Sequence, residues 1–188
     1  TYTITYTATD TSNNSASVDR VVNVIKNINL SVESLTGNWR VKREAGSLHL
    51  TSADTGEVWW SNSEIDVWRR SCFFDDIYTF AQDGAFSQDM GLETWLEPFQ
   101  GVDQEGCGTP VSPHNGNVAN ANYIVSDSQI TVNGLGAFLG LAKATNGAEL
   151  SSSAEAVSSI TYDVLDFSND GLNMTSQINV GNSVWRFK

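Results

Sequence analysis

The sequence predicts an all-β protein, either an antiparallel β-barrel or a β-sandwich, preceded by a separate β-hairpin. Two observations lead to this prediction. The 188 residues contain many short apolar or alternating runs, separated at suitable intervals by Asn-Gly, Asp-Gly and Gly-Asn turn signals. Helix signals are poor, because the one stretch rich in Ala and Glu, residues 142–156, is interrupted by Asn-Gly and by three serines. We therefore expect at most one short helical turn.

The first 24 residues predict the hairpin. Tyr2, Ile4 and Tyr6 alternate with threonines, turn-forming residues fill positions 10–15, and alternation then resumes with valines. Residues 25–34 are a polar connector, and the main domain begins at Leu35. The predicted organisation is a terminal hairpin over 1–24, a linker over 25–34 and a barrel or sandwich domain over 35–188.

The main domain shows a series of short strand patterns. The four residues Trp39–Lys42 near its start resemble Trp185–Lys188 at its end, so we expect the first and last strands to pair, as in a sheet that closes on itself. Residues 101–121 lack periodicity and predict a long ordered loop held by Cys107. The runs that predict strands are 38–42, 48–51, 57–60, 76–81, 84–87, 121–125, 128–132, 137–142, 158–165, 172–179 and 183–187.

Two cysteines, Cys72 and Cys107, suggest one disulfide that closes a loop of about 36 residues. The alternative is two separate buried thiols. Their spacing excludes a CxxC metal or redox site. A disulfide is typical of proteins exported to oxidising compartments.

Charge and hydropathy exclude two classes of partner. The chain has 10 Lys and Arg against 22 Asp and Glu, a formal net charge of -12, which repels nucleic acid and anionic lipid surfaces. No apolar run approaches the length of a membrane span. We therefore predict no nucleic-acid partner and no membrane span.

Motifs for catalysis are missing from the sequence, so we predict that the protein is not an enzyme. His49 and His114 lie outside any GxSxG-like or Cys-His context. The carboxylate pair Glu93 and Glu97 does not match the acidic motif of β-sandwich glycosidases, which need an acid and a nucleophile at a defined separation.

One acidic region of the sequence is a candidate metal site. Asp75 and Asp76 belong to an acidic hairpin region and are the candidate ligands for a structural Ca²⁺, but no DxDxDG loop is present. We predict no other cofactor.

Aromatic residues are dense between Trp59 and Phe99. Indole faces pack against the C–H faces of sugar rings, while amides and carboxylates bind sugar hydroxyls. Because neighbouring strand residues face opposite ways, at most one of Trp59 and Trp60 fits a core whose other face is wet. We expect Trp39, Phe73, Tyr78, Phe80, Phe86 and Trp185 in the core. The candidate sugar-binding residues are Trp60, Trp68, Trp95 and Phe99, with Glu97, Gln100 and Asn115 as polar partners; core packing is the alternative for these four aromatics.

Two short segments resemble known families. The segment YTITYTATDTSNNSASVDRVVNV resembles the last two strands of bacterial Ig-like repeats, which implies a truncated repeat and other domains in the same parent chain. The Gly37-Asn38-Trp39 start, with an Arg on the final strand that could stack on the Trp, resembles the pattern of lipocalin-like barrels.

Residues 35–188 also resemble, as a whole, an accessory domain of secreted marine bacterial polysaccharide-degrading proteins. The resemblance lies in Trp59-Trp60-Ser61, in the run from Cys72 to Phe80, in Glu93–Gly101, in Cys107–Val111, in Gly136–Leu141 and in Ser159–Tyr162. It implies an extracellular or cell-surface location and a role in polysaccharide utilisation. It carries no catalytic motif.

These observations predict a non-catalytic carbohydrate-binding module or surface glycan-binding domain, with a polysaccharide or oligosaccharide as partner. The alternative is a structural or adhesive spacer of a cell-surface protein without a glycan ligand.

Overall fold

The computed structural model describes residues 2–22, 28–168 and 170–188, and it confirms the all-β fold class. Predicted hairpin residues 1, 23 and 24 and predicted linker residues 25–27 lie outside the described part. The helices are α1 (Val32–Leu35) and α2 (Glu64–Arg69). The strands are β1 (Tyr2–Thr9), β2 (Ser15–Val22), β3 (Gly37–Trp39), β4 (Leu48–Ser52), β5 (Val58–Ser61), β6 (Ile77–Phe80), β7 (Phe86–Asp89), β8 (Thr94–Leu96), β9 (Gly106–Gly108), β10 (Asn122–Ser126), β11 (Gln129–Asn133), β12 (Ala144–Thr145), β13 (Ala148–Glu149), β14 (Ser159–Phe167), β15 (Met174–Asn179) and β16 (Ser183–Phe187).

The terminal hairpin forms as predicted. Strands β1 and β2 pair antiparallel from Tyr2 opposite Val22 to Thr9 opposite Ser15. The Asp10 side chain closes the turn by accepting the backbone N–H groups of Ser12 at 2.8 Å and Asn14 at 2.9 Å. Nearly all side chains of the hairpin are exposed.

A seven-stranded antiparallel sheet forms the main body, in the order β10-β11-β14-β15-β16-β4-β5. A second sheet, β3-β6-β7, meets it through a bridge between Ala85 and Asn122. Strands β3 and β5 remain edges in the described part of the chain, so the sheets do not close into a barrel. Of the two predicted architectures, the β-sandwich is the one that agrees with this topology, and the closed lipocalin-like barrel is not.

The predicted pairing of the first and last strands of the domain is wrong. Strand β16 pairs with β4, whereas β3 pairs with β6. The chain leaves the strand conformation after Trp39, and the backbone N–H of Lys42 donates to the carbonyl of Lys188 at 2.7 Å. Arg186 does not stack on Trp39, because its Nε donates to Gln177 on the neighbouring strand at 3.0 Å.

The strand predicted over 137–142 is also wrong. Its apolar side chains are buried, but Gly136 and Gly140 adopt φ angles of +82° and +70°, which break the extended backbone. The hydrophobic residues of this run therefore reflect the burial of an irregular segment, and they do not indicate a strand. The run predicted over 84–87 forms a strand two residues later, at Phe86–Asp89.

Helix α2 was not predicted, although a capping box marks its start. Ser63 accepts the backbone N–H of Asp66 at 3.3 Å, and Asp66 accepts the backbone N–H of Ser63 at 2.8 Å. The Ala-rich stretch forms a short 3₁₀ turn at Ser153–Glu155, but α1, α2 and a second 3₁₀ turn at Pro98–Gln100 are also present, so the expectation of at most one helical turn is wrong.

The disulfide between Cys72 and Cys107 is confirmed, with 5.9 Å between the two Cα atoms. It joins the segment after α2 to β9, which pairs with β8. In the described residues no helix is long and apolar enough to cross a membrane.

Candidate ligand-binding site

A cavity of about 620 Å³ lies between the segment after β3 and the end of the chain, and we call it the Trp39 cavity. Segments far apart in sequence form its wall, and its volume falls in the range typical of small-molecule sites. The lining residues are Asn38, Trp39, Arg40, Val41, Lys42, Arg43, Tyr78, Phe80, Leu139, Gly140, Leu172, Asn173, Met174, Thr175, Ser176, Phe187 and Lys188.

Trp39 is held in the cavity wall by its neighbours. Its indole N–H donates to the carbonyl of Leu35 at the end of α1 at 2.8 Å, and its ring packs against Phe167 with the centroids 5.8 Å apart. Trp39 was expected in the core, but its side chain is only partly buried and packs against the core. One part of the indole is anchored while the ring borders the cavity.

Buried aromatic residues close the inner side of the cavity. Tyr78 and Phe80 project from β6 and Phe187 from β16, and all three are buried. The Tyr78 hydroxyl donates to the carbonyl of Gly140 at 3.2 Å. A side chain at Gly140 would clash with the ring of Phe187, so this position requires glycine.

Polar side chains line one side of the cavity, and the Asn173 amide is the most exposed of them. Asn173, Thr175 and Ser176 precede or begin β15 and line the cavity. Their side chains form no hydrogen bond with any residue that the structure describes. Polar groups of this kind fix the orientation of a ligand in a mostly apolar site.

The four aromatic residues predicted to stack on sugar lie elsewhere, and none of them lines the Trp39 cavity. Trp60 is half-buried and meets Trp185 edge to face, with ring centroids 6.0 Å apart. Trp95 is only 8% exposed, and the guanidinium of Arg70 lies 4.4 Å from its ring centroid. Arg70 also lies 5.5 Å from the Trp60 ring. Its cation therefore occupies the space beside both indoles, where a sugar would have to stack.

Trp68 is the most accessible of the predicted residues. It lies on α2 with 77% of its surface exposed, and Trp59, on the edge strand β5, is 54% exposed. The expectation that at most one of Trp59 and Trp60 faces the core is confirmed, since Trp60 packs inward against Trp185.

The predicted polar partners are already engaged with other protein groups. Glu97 forms an ion pair with Lys143 at 3.1 Å, and the Gln100 side chain accepts the backbone N–H of Glu97 at 3.1 Å. Asn115 accepts the backbone N–H of Asn117 at 3.2 Å.

Phe99 lies beside His114, at 5.7 Å between ring centroids, and near a small enclosed space. This space, which Trp95, Glu97 and Gln100 also line, has a volume of about 10 Å³. That is room for about one water molecule and far too small for a sugar ring.

The candidate Ca²⁺ ligands differ in environment. Asp75 is exposed, whereas Asp76 is 1% exposed and accepts the hydroxyl of Thr94 at 2.7 Å. Burial raises the pKa of Asp76 to about 7. Within the described ranges, no group of three His, Cys, Asp or Glu residues is placed to hold a metal ion.

The two histidines lie in separate environments. Burial lowers the pKa of His114, and burial together with the charges of Lys188 and Arg186 lowers the pKa of His49. Both rings therefore favour the neutral form.

Tryptophan exposure provides a first test of this arrangement. We expect acrylamide to quench Trp59 and Trp68 strongly, because their rings are open to solvent, and to reach Trp95 and Trp185 poorly. Replacing both Trp59 and Trp68 by Phe is expected to lower the fraction of quenchable fluorescence, whereas Trp185→Phe, the control, leaves the quenchable residues in place. Equal quenching in both variants would contradict the exposures described above.

Comparison with known proteins adds no family to this description: no family model, curated protein or solved structure matches the chain.

Proposed function

We propose that this protein is a non-catalytic carbohydrate-binding module of an extracellular protein, and that a sugar occupies the Trp39 cavity. The observation that carries the proposal is one cavity of about 620 Å³ that combines an aromatic wall with unengaged hydroxyl and amide groups. Saccharides need both features, since their C–H faces pack on aromatic rings and their hydroxyls require hydrogen-bond partners.

The disulfide and the all-β fold are compatible with an extracellular location. In the proposed mode of action, Trp39 packs on a sugar ring, and the exposed side chain of Asn173 exchanges hydrogen bonds with its hydroxyls. Trp39 is held by its hydrogen bond to Leu35 and by its packing against Phe167, and Asn173 directly precedes β15, so binding requires little reorganisation.

Calorimetric titration with soluble laminarin, alginate, agar and carrageenan oligosaccharides tests this function. We expect at least one of these glycans to bind. Trp39→Ala, which removes one aromatic side chain from the cavity wall, should weaken binding by about tenfold or more, equivalent to about 1.4 kcal/mol.

Trp68→Ala is the matched control, because it removes an exposed indole outside the cavity. Thermal unfolding of each variant shows whether it is folded. A folded wild-type protein that binds none of the glycans would contradict the function and favour a spacer role. Loss of binding in Trp68→Ala but not in Trp39→Ala would place the site on the exposed face of α2 instead.

A further inference from the structure

We infer that the saccharide bound in the Trp39 cavity is anionic and carries carboxylate or sulfate groups; this inference rests on the function proposed above. Four of the ten Lys and Arg residues of the chain line this one cavity, namely Arg40, Lys42, Arg43 and Lys188. No Asp or Glu of the described residues lines it, although the chain contains 22 of them.

The charge of the side chains that line the cavity is opposite in sign to the net charge of the chain. A protein of net charge -12 presents negative potential over most of its surface. A pocket lined by positive side chains and by no acidic ones is a local exception, and it attracts anions against the general field.

The arginines at the cavity are available for binding. Lys42 forms an ion pair with Glu44 at 3.1 Å, at an exposed position. Arg40 and Arg43 are exposed, and neither forms an ion pair or side-chain hydrogen bond within the part of the chain that the structure describes. Arg70 and Lys143, by contrast, are tied to Glu105 and to Glu97 and lie over tryptophan rings.

The chemistry of these groups selects the class of ligand. A guanidinium matches carboxylate and sulfate oxygens with two parallel hydrogen bonds, and such charge-assisted bonds are stronger than neutral ones. The aromatic inner wall requires a ligand with an apolar face next to its charge. A uronic acid or a sulfated sugar has both, whereas a neutral glycan leaves the arginines without partners.

Matched glycans separate anion recognition from sugar recognition. Sulfated carrageenan oligosaccharides and neutral agaro-oligosaccharides share a galactan backbone, alginate oligosaccharides carry carboxylates, and laminari-oligosaccharides are neutral. We expect calorimetry to show at least about tenfold tighter binding of a sulfated or carboxylated member than of the neutral ones. That binding should weaken when NaCl rises from roughly 0.05 to 0.5 M, since salt screens exposed charges.

Variants that remove positive charges test whether the arginines at the cavity bind the anionic glycan. The double variant Arg40→Gln/Arg43→Gln is expected to weaken binding of the anionic glycan about tenfold or more. Arg20→Gln/Arg69→Gln changes the net charge equally but outside the cavity, so it should leave binding within about twofold of wild type. Thermal unfolding confirms that both variants are folded.

The outcomes are distinct. Equal binding of neutral and anionic glycans, with no effect of the cavity double variant, would overturn the inference and leave the proposed function intact. Equal losses in both double variants would also overturn it, because the attraction would then be a property of net charge. Decanoate, which has a carboxylate and an apolar chain but no sugar ring, is a further probe. Binding of decanoate but of no glycan would overturn the inference together with the proposed function.

Discussion

Replacing Asp76 by Asn is expected to remove most of the loss of stability that the wild-type protein shows between about pH 4 and pH 7. Asp76 is buried, its Oδ2 atom accepts the Thr94 hydroxyl at 2.7 Å, and its Oδ1 atom has no partner among the described residues. Burial raises its pKa to about 7, the Thr94 hydrogen bond opposes that rise, and the charges of Asp75 and Asp89 add to it.

The direction of the effect follows from the two pKa values. The unfolded chain has the ordinary value of about 4, so below that pH both states carry the proton and the native state pays no penalty. Between about pH 4 and pH 7 the unfolded chain releases the proton while the native state retains it, and the native state loses relative stability. Above about pH 7 the loss is complete and amounts to roughly 4 kcal/mol, since each pKa unit corresponds to about 1.4 kcal/mol.

Asparagine reproduces the neutral carboxyl group. Its oxygen accepts from Thr94, and its amide supplies a donor where the carboxyl proton would be. Urea unfolding at about pH 4, 5.5, 7 and 8 measures the difference between variant and wild type. Asp103→Asn is the control, because Asp103 is exposed. Parallel pH profiles for wild type and Asp76→Asn would contradict the prediction.

The double variant Cys72→Ser/Cys107→Ser is expected to lower the free energy of unfolding by about 3–4 kcal/mol. The bridge spans a sequence separation of 35 residues and restricts the unfolded chain. In the native state it connects the end of α2 to the two-stranded β8-β9 sheet, which has only three residue pairs of its own.

Urea unfolding with and without dithiothreitol measures this contribution. The wild-type protein should lose stability on reduction, while the serine variant, as the matched control, should be insensitive to the reductant. A loss below about 1 kcal/mol in the double variant would show that the unfolded chain is not restricted as expected.

Parts of the fold could be predicted because local patterns determine them. Strand β16 covers the predicted residues 183–187, and β11 covers 129–133 against a prediction of 128–132. With only two cysteines, a disulfide has a single pairing, and that pairing is present. Helix α2 could have been predicted from Ser63 and Asp66 at capping-box spacing.

The exposure of individual tryptophans could not be predicted in this way. Trp68 and Trp95 both lie near loops in the sequence, yet one is 77% exposed and the other 8%. Trp95 belongs to the hydrophobic core on the buried strand β8, and the Arg70 guanidinium lies 4.4 Å from its ring centroid. Density of aromatic residues in a sequence therefore does not show which of them can stack on a ligand.

The all-β class, the terminal hairpin and the disulfide follow from the amino-acid sequence, since alternation, turn residues and the number of cysteines can be read from it directly. The position of the candidate ligand site, by contrast, depends on how distant segments fold together. The Trp39 cavity joins residues 38–43, Tyr78, Gly140, residues 172–176 and Lys188. Those segments meet because β16 pairs with β4 and β3 with β6, and such long-range pairing depends on burial across the whole chain.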